Sequence, residues 1–139
     1  MISKRLKNVP IYCPAITDGS FGFQLQDLRN NMDFQIDVIQ DMKNIALEAD
    51  IERPIGIIAL GGGVAKHHAI LSNIINGGAD YAVYITTAHQ HSGSLSGATT
   101  EEAKSWGKIK GEANAVTVHG EASLVVPLLV SKVFEDLRL

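Results

Sequence analysis

The sequence is poor in the features that mark a special environment. It has one cysteine, Cys13, so no internal disulfide can form, and that usage points to a reducing, cytoplasmic compartment. It has no basic excess: 12 Lys and Arg stand against 15 Asp and Glu, a net charge of −3, which excludes the electrostatic footprint of a nucleic-acid-binding surface. The one basic cluster, Lys4, Arg5 and Lys7, is short and reads as a solvated terminus. No apolar run approaches the ~20 residues of a membrane span, and Met1 to Arg5 lacks the apolar segment of a signal peptide. Aromatic residues make up only 6%, with a single tryptophan, and neither an internal repeat nor a low-complexity stretch is present. What remains is 139 residues, 45% hydrophobic, enough for one domain over 1–139 with a real core.

Taken in order, Val9 to Ile16 is a short apolar run broken by Pro10 and Pro14 that reads as a strand, followed by the turn Thr17-Asp18-Gly19-Ser20. Asp33 fits a helix N-cap, and the spacing of Phe34, Val38, Met42, Ile45 and Ala46 predicts a helix over 34–49. The continuous apolar run 54–60 suits a parallel strand covered on both faces. Gly61-Gly62-Gly63 opens a helix over 64–76, which Gly77-Gly78 ends. Residues 81–87 form a second strand, and 89–99 a long polar loop. Thr99 and Glu102 have capping-box spacing and start a helix running to about Lys110. A third strand over 115–119 and a helix over 121–137, with a kink expected at Pro127, complete the chain. The alternation predicts an α/β fold, a parallel sheet with flanking helices and right-handed crossovers. Ligands bind such sheets beyond the carboxyl ends of the strands. Those ends carry Asp18, the glycines, Thr87-Ala88 with the histidine loop, and His119-Gly120-Glu121.

The triple glycine allows a phosphate to approach backbone N–H groups at a helix start, and a tight turn explains it equally. Among five histidines, His67-His68 and His89-x-His91 invite a metal reading, but no Asp or Cys at ligand spacing joins them, so no metal is expected. Lys108, two residues after Trp106, could act as a nucleophile if burial beside the indole made its amine neutral. Most helical lysines are merely solvated, and that reading stands beside it. On an ideal helix Glu102 and Lys108 lie about 120° apart, so the two would not share a face.

The segments Asn8-Val9-Pro10, Pro14 to Ser20, Leu60 to Val64, Lys66-His67-His68, Asn76 to Ile85, Ser94, Ser96-Gly97-Ala98, Glu102 and Ser105 to Ile109 occur in this order, followed by Ala122 to Val125 and Pro127-Leu128-Leu129. In this order they resemble the C-terminal, catalytic-lysine part of deoxyhypusine synthase. The resemblance implies a Rossmann-like fold and NAD-dependent transfer of the aminobutyl group of spermidine, through an enzyme–lysine imine, to a lysine of the initiation factor five-A precursor. By position it makes Lys108 the covalent lysine and His67 the site histidine. Glu102, Trp106, His67, Gly93, Ser94 and Ser96 become substrate-binding residues. Asp18, Gly62, Thr87, Ala88, Glu121 and Ala122 become NAD-binding residues.

The chain departs from that pattern where the family carries acids, having Phe23, Ser92 and Leu95 instead, and Glu121 stands for an Asp. The implied amine site is therefore less acidic and more apolar. Transfer to a small amine, as in a homospermidine synthase, is the second reading. A non-catalytic subunit that completes a partner's sheet is the third. Family members are also longer, so the resemblance implies a companion chain supplying the N-terminal part, within a homo- or hetero-oligomer.

Overall fold

Three parallel strands in the order β1-β2-β3 organise the chain. The computed structural model describes residues 9–50 and 52–138. Lys4, Arg5, Lys7 and Asn8, named above, lie outside the described residues. β1 is Gly56–Leu60, β2 is Ala79–Thr86 and β3 is Ile109–His119. Helix α3 (Gly63–Ser72) connects β1 to β2, and α4 (Thr100–Ser105) connects β2 to β3. Before them stand α1 (Ser20–Arg29) and α2 (Val38–Glu48), and α5 (Ala122–Leu137) follows. The α/β fold and parallel sheet are as expected.

Several boundaries differ. Residues 9–16 form no strand; the prolines leave an irregular segment and a turn over 14–17. The next residues form α1 rather than continuing the turn; its apolar residues, Phe21, Phe23, Leu25 and Leu28, follow a spacing closer to two than to 3.6. Helix α2 begins at Val38, not 34, because Asp37 caps it: its side chain accepts from Gln40 N–H at 2.8 Å. Asp33 caps nothing. Helix α3 stops at Ser72, and β3 starts at Ile109, well before 115. Helix α5 runs through Pro127.

Strand register puts Ile57, Ala82 and Ala115 in one row and Ala59, Tyr84 and Thr117 in the next, on the face that α3 and α4 cover. There Ala59, Ile70, Ala82, Tyr84, Ala103 and Ile109 form the buried core. The opposite face carries Ile58, Val83 and Val116 in one row. It is largely bare: Ile58 is 67% exposed, Tyr81 52% and Val116 48%, and α5 buries none of its own residues. Parallel sheets in water usually have both faces covered, and here one face is largely uncovered.

Candidate active site

The carboxyl ends of the strands are tied together by backbone bonds. Gly61 N–H donates to Ile85 C=O at 2.8 Å and Gly120 N–H to Thr86 C=O at 3.0 Å. Residues Thr87 and Ala88, which leave β2, and Glu121 and Ala122, which open α5, thus share one edge with the glycine turn. Gly61 and Gly63 adopt φ of 79° and 72°, which side chains disfavour, and open space lies where their Cβ atoms would stand. At Gly62 a Cβ would lie 2.4 Å from Ser96 Cα, so the glycine is what lets the histidine loop approach. Glu121 accepts from Ser123 Oγ, and that bond, above its other causes, holds its carboxyl below the usual range. Asp18 stands apart: no hydrogen bond, ion pair or ring contact among the described residues joins 14–29 to this edge.

The short helix α4 carries the other group. Its capping box is complete: Thr99 N–H donates to Glu102 Oε2 at 2.7 Å and Glu102 N–H to Thr99 Oγ1 at 3.3 Å. Thr99 Oγ1–H and Gln90 Nε2–H also donate to Oε2, at 3.2 and 3.4 Å, which leaves Oε1 for another donor. The Thr99 N–H is the largest cause holding the Glu102 carboxyl below its ordinary value.

The helix does not reach Lys110. Gly107 turns left-handed at φ 70°, its N–H donates to Lys104 C=O at 2.9 Å, and Lys108 N–H donates to Ala103 C=O at 3.0 Å. This is a Schellman ending with Lys108 at its last position. The obstacle of opposite helix faces disappears, since Lys108 lies beyond the helix. Lys108 C=O accepts from Ala79 N–H at 3.1 Å, fixing the residue against β2. Its side chain is buried, 8% exposed, with Nζ 4.6 Å from the centre of the Trp106 ring. Among the described residues Lys108 forms no ion pair. Burial alone pushes its pKa below the ordinary lysine value. His67 on α3 is drawn below its usual value by burial first, then by the charges of Lys108 and His68, which favours the neutral ring.

Trp106 is shared. It also walls a cleft of about 230 Å³ lined by Gln90, Gly93, Ser94, Leu95, Ala98 and Glu102. Glu102 is the only carboxylate in that lining. Of the residues singled out from sequence, Gly93, Ser94, Glu102 and Trp106 meet here, while Ser96 packs against Gly62 instead. Leu95 lines the cleft, Ser92 bonds the Ser94 hydroxyl at 2.8 Å, and Phe23 lies on α1, outside the cleft lining. Three features escaped the sequence reading. Gln90 steadies Glu102; His89 and His119 stack at 5.8 Å; and Lys66 is buried under the loop. Nothing in local spacing signals the first two. The third had a cue, a lysine one turn into the helix behind the glycines. Among the described residues, no group of three or more His, Cys, Asp or Glu could hold a metal, and no helix is long and apolar enough to cross a membrane.

Comparison with known proteins adds to this geometry. The family model described as deoxyhypusine synthase matches residues 4–133. A deoxyhypusine synthase of Caenorhabditis elegans is 45% identical over 128 residues, 91% of this chain and 34% of that protein. A probable deoxyhypusine synthase of Halobacterium salinarum is 46% identical over 134 residues, 93% of this chain and 41% of that one. One from Senecio vernalis is 46% identical, over 94% of this chain and 36% of its own length. The chain thus spans between about a third and two-fifths of the curated relatives it matches.

Proposed function

The chain belongs to the deoxyhypusine synthase family, and on that premise we propose that it carries the catalytic lysine of an NAD-dependent aminobutyl transferase. The donor is spermidine and the acceptor a lysine of the initiation factor five-A precursor, in the cytoplasm. The observation that carries the reading is Lys108, buried without an acidic partner among the described residues and laid over Trp106. Burial without an acidic partner favours the neutral amine, and only the neutral amine attacks an imine carbon.

The remaining residues divide the work. Glu102 Oε1 faces the ammonium of the donor, and Trp106 lies along its methylene chain. Gly61 and Gly63, at the head of α3, leave open backbone for a pyrophosphate, while Gly62 admits the loop at Ser96, so the residues present fit a dinucleotide; Gly62, Thr87, Ala88, Glu121 and Ala122 would complete its edge, with Asp18 supplied by a rearrangement of 14–29. NAD, when bound, supplies hydride acceptance from the donor carbon and its return. With that carbon oxidised to C=N, Lys108 adds to it, and diaminopropane leaves with the electron pair of the C–N bond and a proton. His67, kept toward its neutral form, moves that proton. The aminobutyl group, now an imine on Lys108, passes to the acceptor lysine, whose attack frees Lys108.

The length of the relatives and the bare sheet face support a companion polypeptide, as a separate chain or the other part of a longer one, in a homo- or hetero-oligomer. Because Glu102 is the one carboxylate of the cleft, with Leu95 beside it, a small amine as acceptor is the second reading. Both are tested on the assembly purified with its companion: Lys108→Ala must abolish NAD-dependent release of diaminopropane, and supplying either the factor precursor or a small diamine identifies the acceptor. Release undiminished in Lys108→Ala would contradict the lysine's role and favour a non-catalytic subunit.

A further inference from the structure

Lys66 is the most buried lysine among the described residues, 5% exposed, and the reaction above does not use it. Its stem lines a cleft beside the glycine turn, together with Leu60, Gly62 and Ala69. Its ammonium meets the loop over 96–98. There Nζ donates to Ala98 C=O at 2.9 Å, lies within 3.5 Å of Ser96 C=O, and sits 4.7 Å from the centre of the Tyr84 ring. The Ser96 carbonyl also accepts from Thr86 Oγ1 at 3.2 Å. Two donors from different elements thus converge on one short piece of loop, over an aromatic floor. That piece connects Gly93 and Ser94 of the amine cleft to Thr99, the cap that holds Glu102.

Lys66 and Lys108 differ in what surrounds them. Burial draws both below the ordinary lysine value; at Lys66 this is offset by the Glu102 charge and by carbonyl acceptors that its ammonium bonds, whereas Lys108 has a ring face and no hydrogen-bond acceptor among the described residues. Lys66 forms no ion pair among the described residues, so its bonds are spent on backbone. A long buried cation bonded to loop carbonyls does not carry out chemistry; it fixes where the loop lies.

We propose that Lys66 is a positioning residue, whose ammonium clamps the 96–98 segment to α3 and so holds the loop wall of the amine cleft against the glycine turn. This rests on the reading of that cleft as the amine site, but the clamp itself is measurable without turnover.

The test compares wild type, Lys66→Met and Lys66→Arg in the assembly with its companion and NAD, by hydrogen exchange of the peptide over 93–99 and by steady-state kinetics on spermidine. Lys66→Met is expected to speed exchange over 93–99 by about tenfold while the β2 peptide 79–86 keeps its rate. It is also expected to raise the spermidine KM about tenfold with kcat within about threefold, because the wall is displaced and the reacting groups are not. Lys66→Arg, which keeps the cation, restores a large part of both. Unchanged exchange over 93–99 in Lys66→Met overturns the clamp, as does a fall in kcat at constant KM, which would move Lys66 into the chemistry. Should Lys66→Met not assemble, Lys66→Gln, which removes the charge and shortens the reach to Ala98 C=O, must speed exchange over the same peptide about threefold; no change there overturns the clamp as well. If wild type does not turn spermidine over at all, the reading of the reaction fails, and the exchange arm still decides the clamp.

Discussion

The backbone N–H of Lys108 donates to the carbonyl of Ala103 across 3.0 Å, and this bond, closed over Gly107, is what sets the lysine above the Trp106 ring. The turn requires φ 70° at Gly107. Gly107→Ala is therefore expected to cost about 1 kcal/mol of stability. Borohydride-trapped adduct should fall at least as steeply as that, because the lysine loses its seat. A thermal melt and adduct yield measured side by side check this; a normal melt with normal yield would show that the turn does not govern the lysine.

The second prediction concerns pH. Burial holds Lys108 below the ordinary lysine value of 10.5. Its neutral fraction grows as pH rises through the lowered value, so adduct formation should rise with pH and level off before 10.5. The stability contribution has the same sign. Between the lowered value and 10.5 the unfolded chain holds the proton and the folded chain does not, so the folded state gains as pH rises through that window. Lys108→Met, which removes the buried amine, should leave the melting temperature unreduced and flatten this part of the stability profile. A rate profile that keeps climbing past 10.5 would argue against a depressed lysine.

Glu102 serves both the helix cap and the amine, and one substitution separates the two. A glutamine still accepts from Thr99 N–H, so Glu102→Gln should preserve α4 and its thermal stability. The pairing charge is gone, and the KM for the donor amine should rise about tenfold or more. Thr99→Ala should do the converse, weakening the fold by about 1 kcal/mol through loss of the cap. Spermidine kinetics and melts on both variants make the comparison. Equal KM in wild type and Glu102→Gln would remove Glu102 from the amine site.

The bare sheet face makes a prediction about assembly. Ile58 and Val116 face outward in one row with Val83 between them. Ile58→Asp or Val116→Asp should leave the chain's own core intact, since neither belongs to it. Either should release the companion polypeptide, because a charge buried without a partner costs several kcal/mol. Co-purification and sedimentation read the outcome; a companion retained by both variants would place its docking surface elsewhere, on the exposed apolar residues of α5.

How much of this was legible in the sequence depends on how local the cause is. The apolar run before Gly61 and the β-branched run of β2 are strands for reasons contained in a few residues, and both strands formed. The Thr99–Glu102 capping box is likewise a short-range pattern. The end of α4 is not legible because Gly107 inside a polar helix pattern gives no sign of its φ; the Ala103 and Lys104 carbonyls decide it. The early start of β3 was hidden by its polar opening, where Lys110 and Asp80 pair at 2.6 Å across an irregular register. Lys66 has a sequence cue in its place one turn behind the glycines, but that cue does not give its burial. Its burial comes from the 96–98 loop folding back from thirty residues away, a tertiary fact that no window on the sequence contains.

The measurement that bears most directly on the account is a reductive trap. The assembly is purified with its companion, given NAD and spermidine, reduced with borohydride and mapped by peptide mass spectrometry. The account predicts an aminobutyl addition on Lys108, absent without NAD and absent in Lys108→Ala. An addition on a different lysine, or none while NAD is bound and the companion is present, would contradict Lys108 as the residue that carries the transferred group.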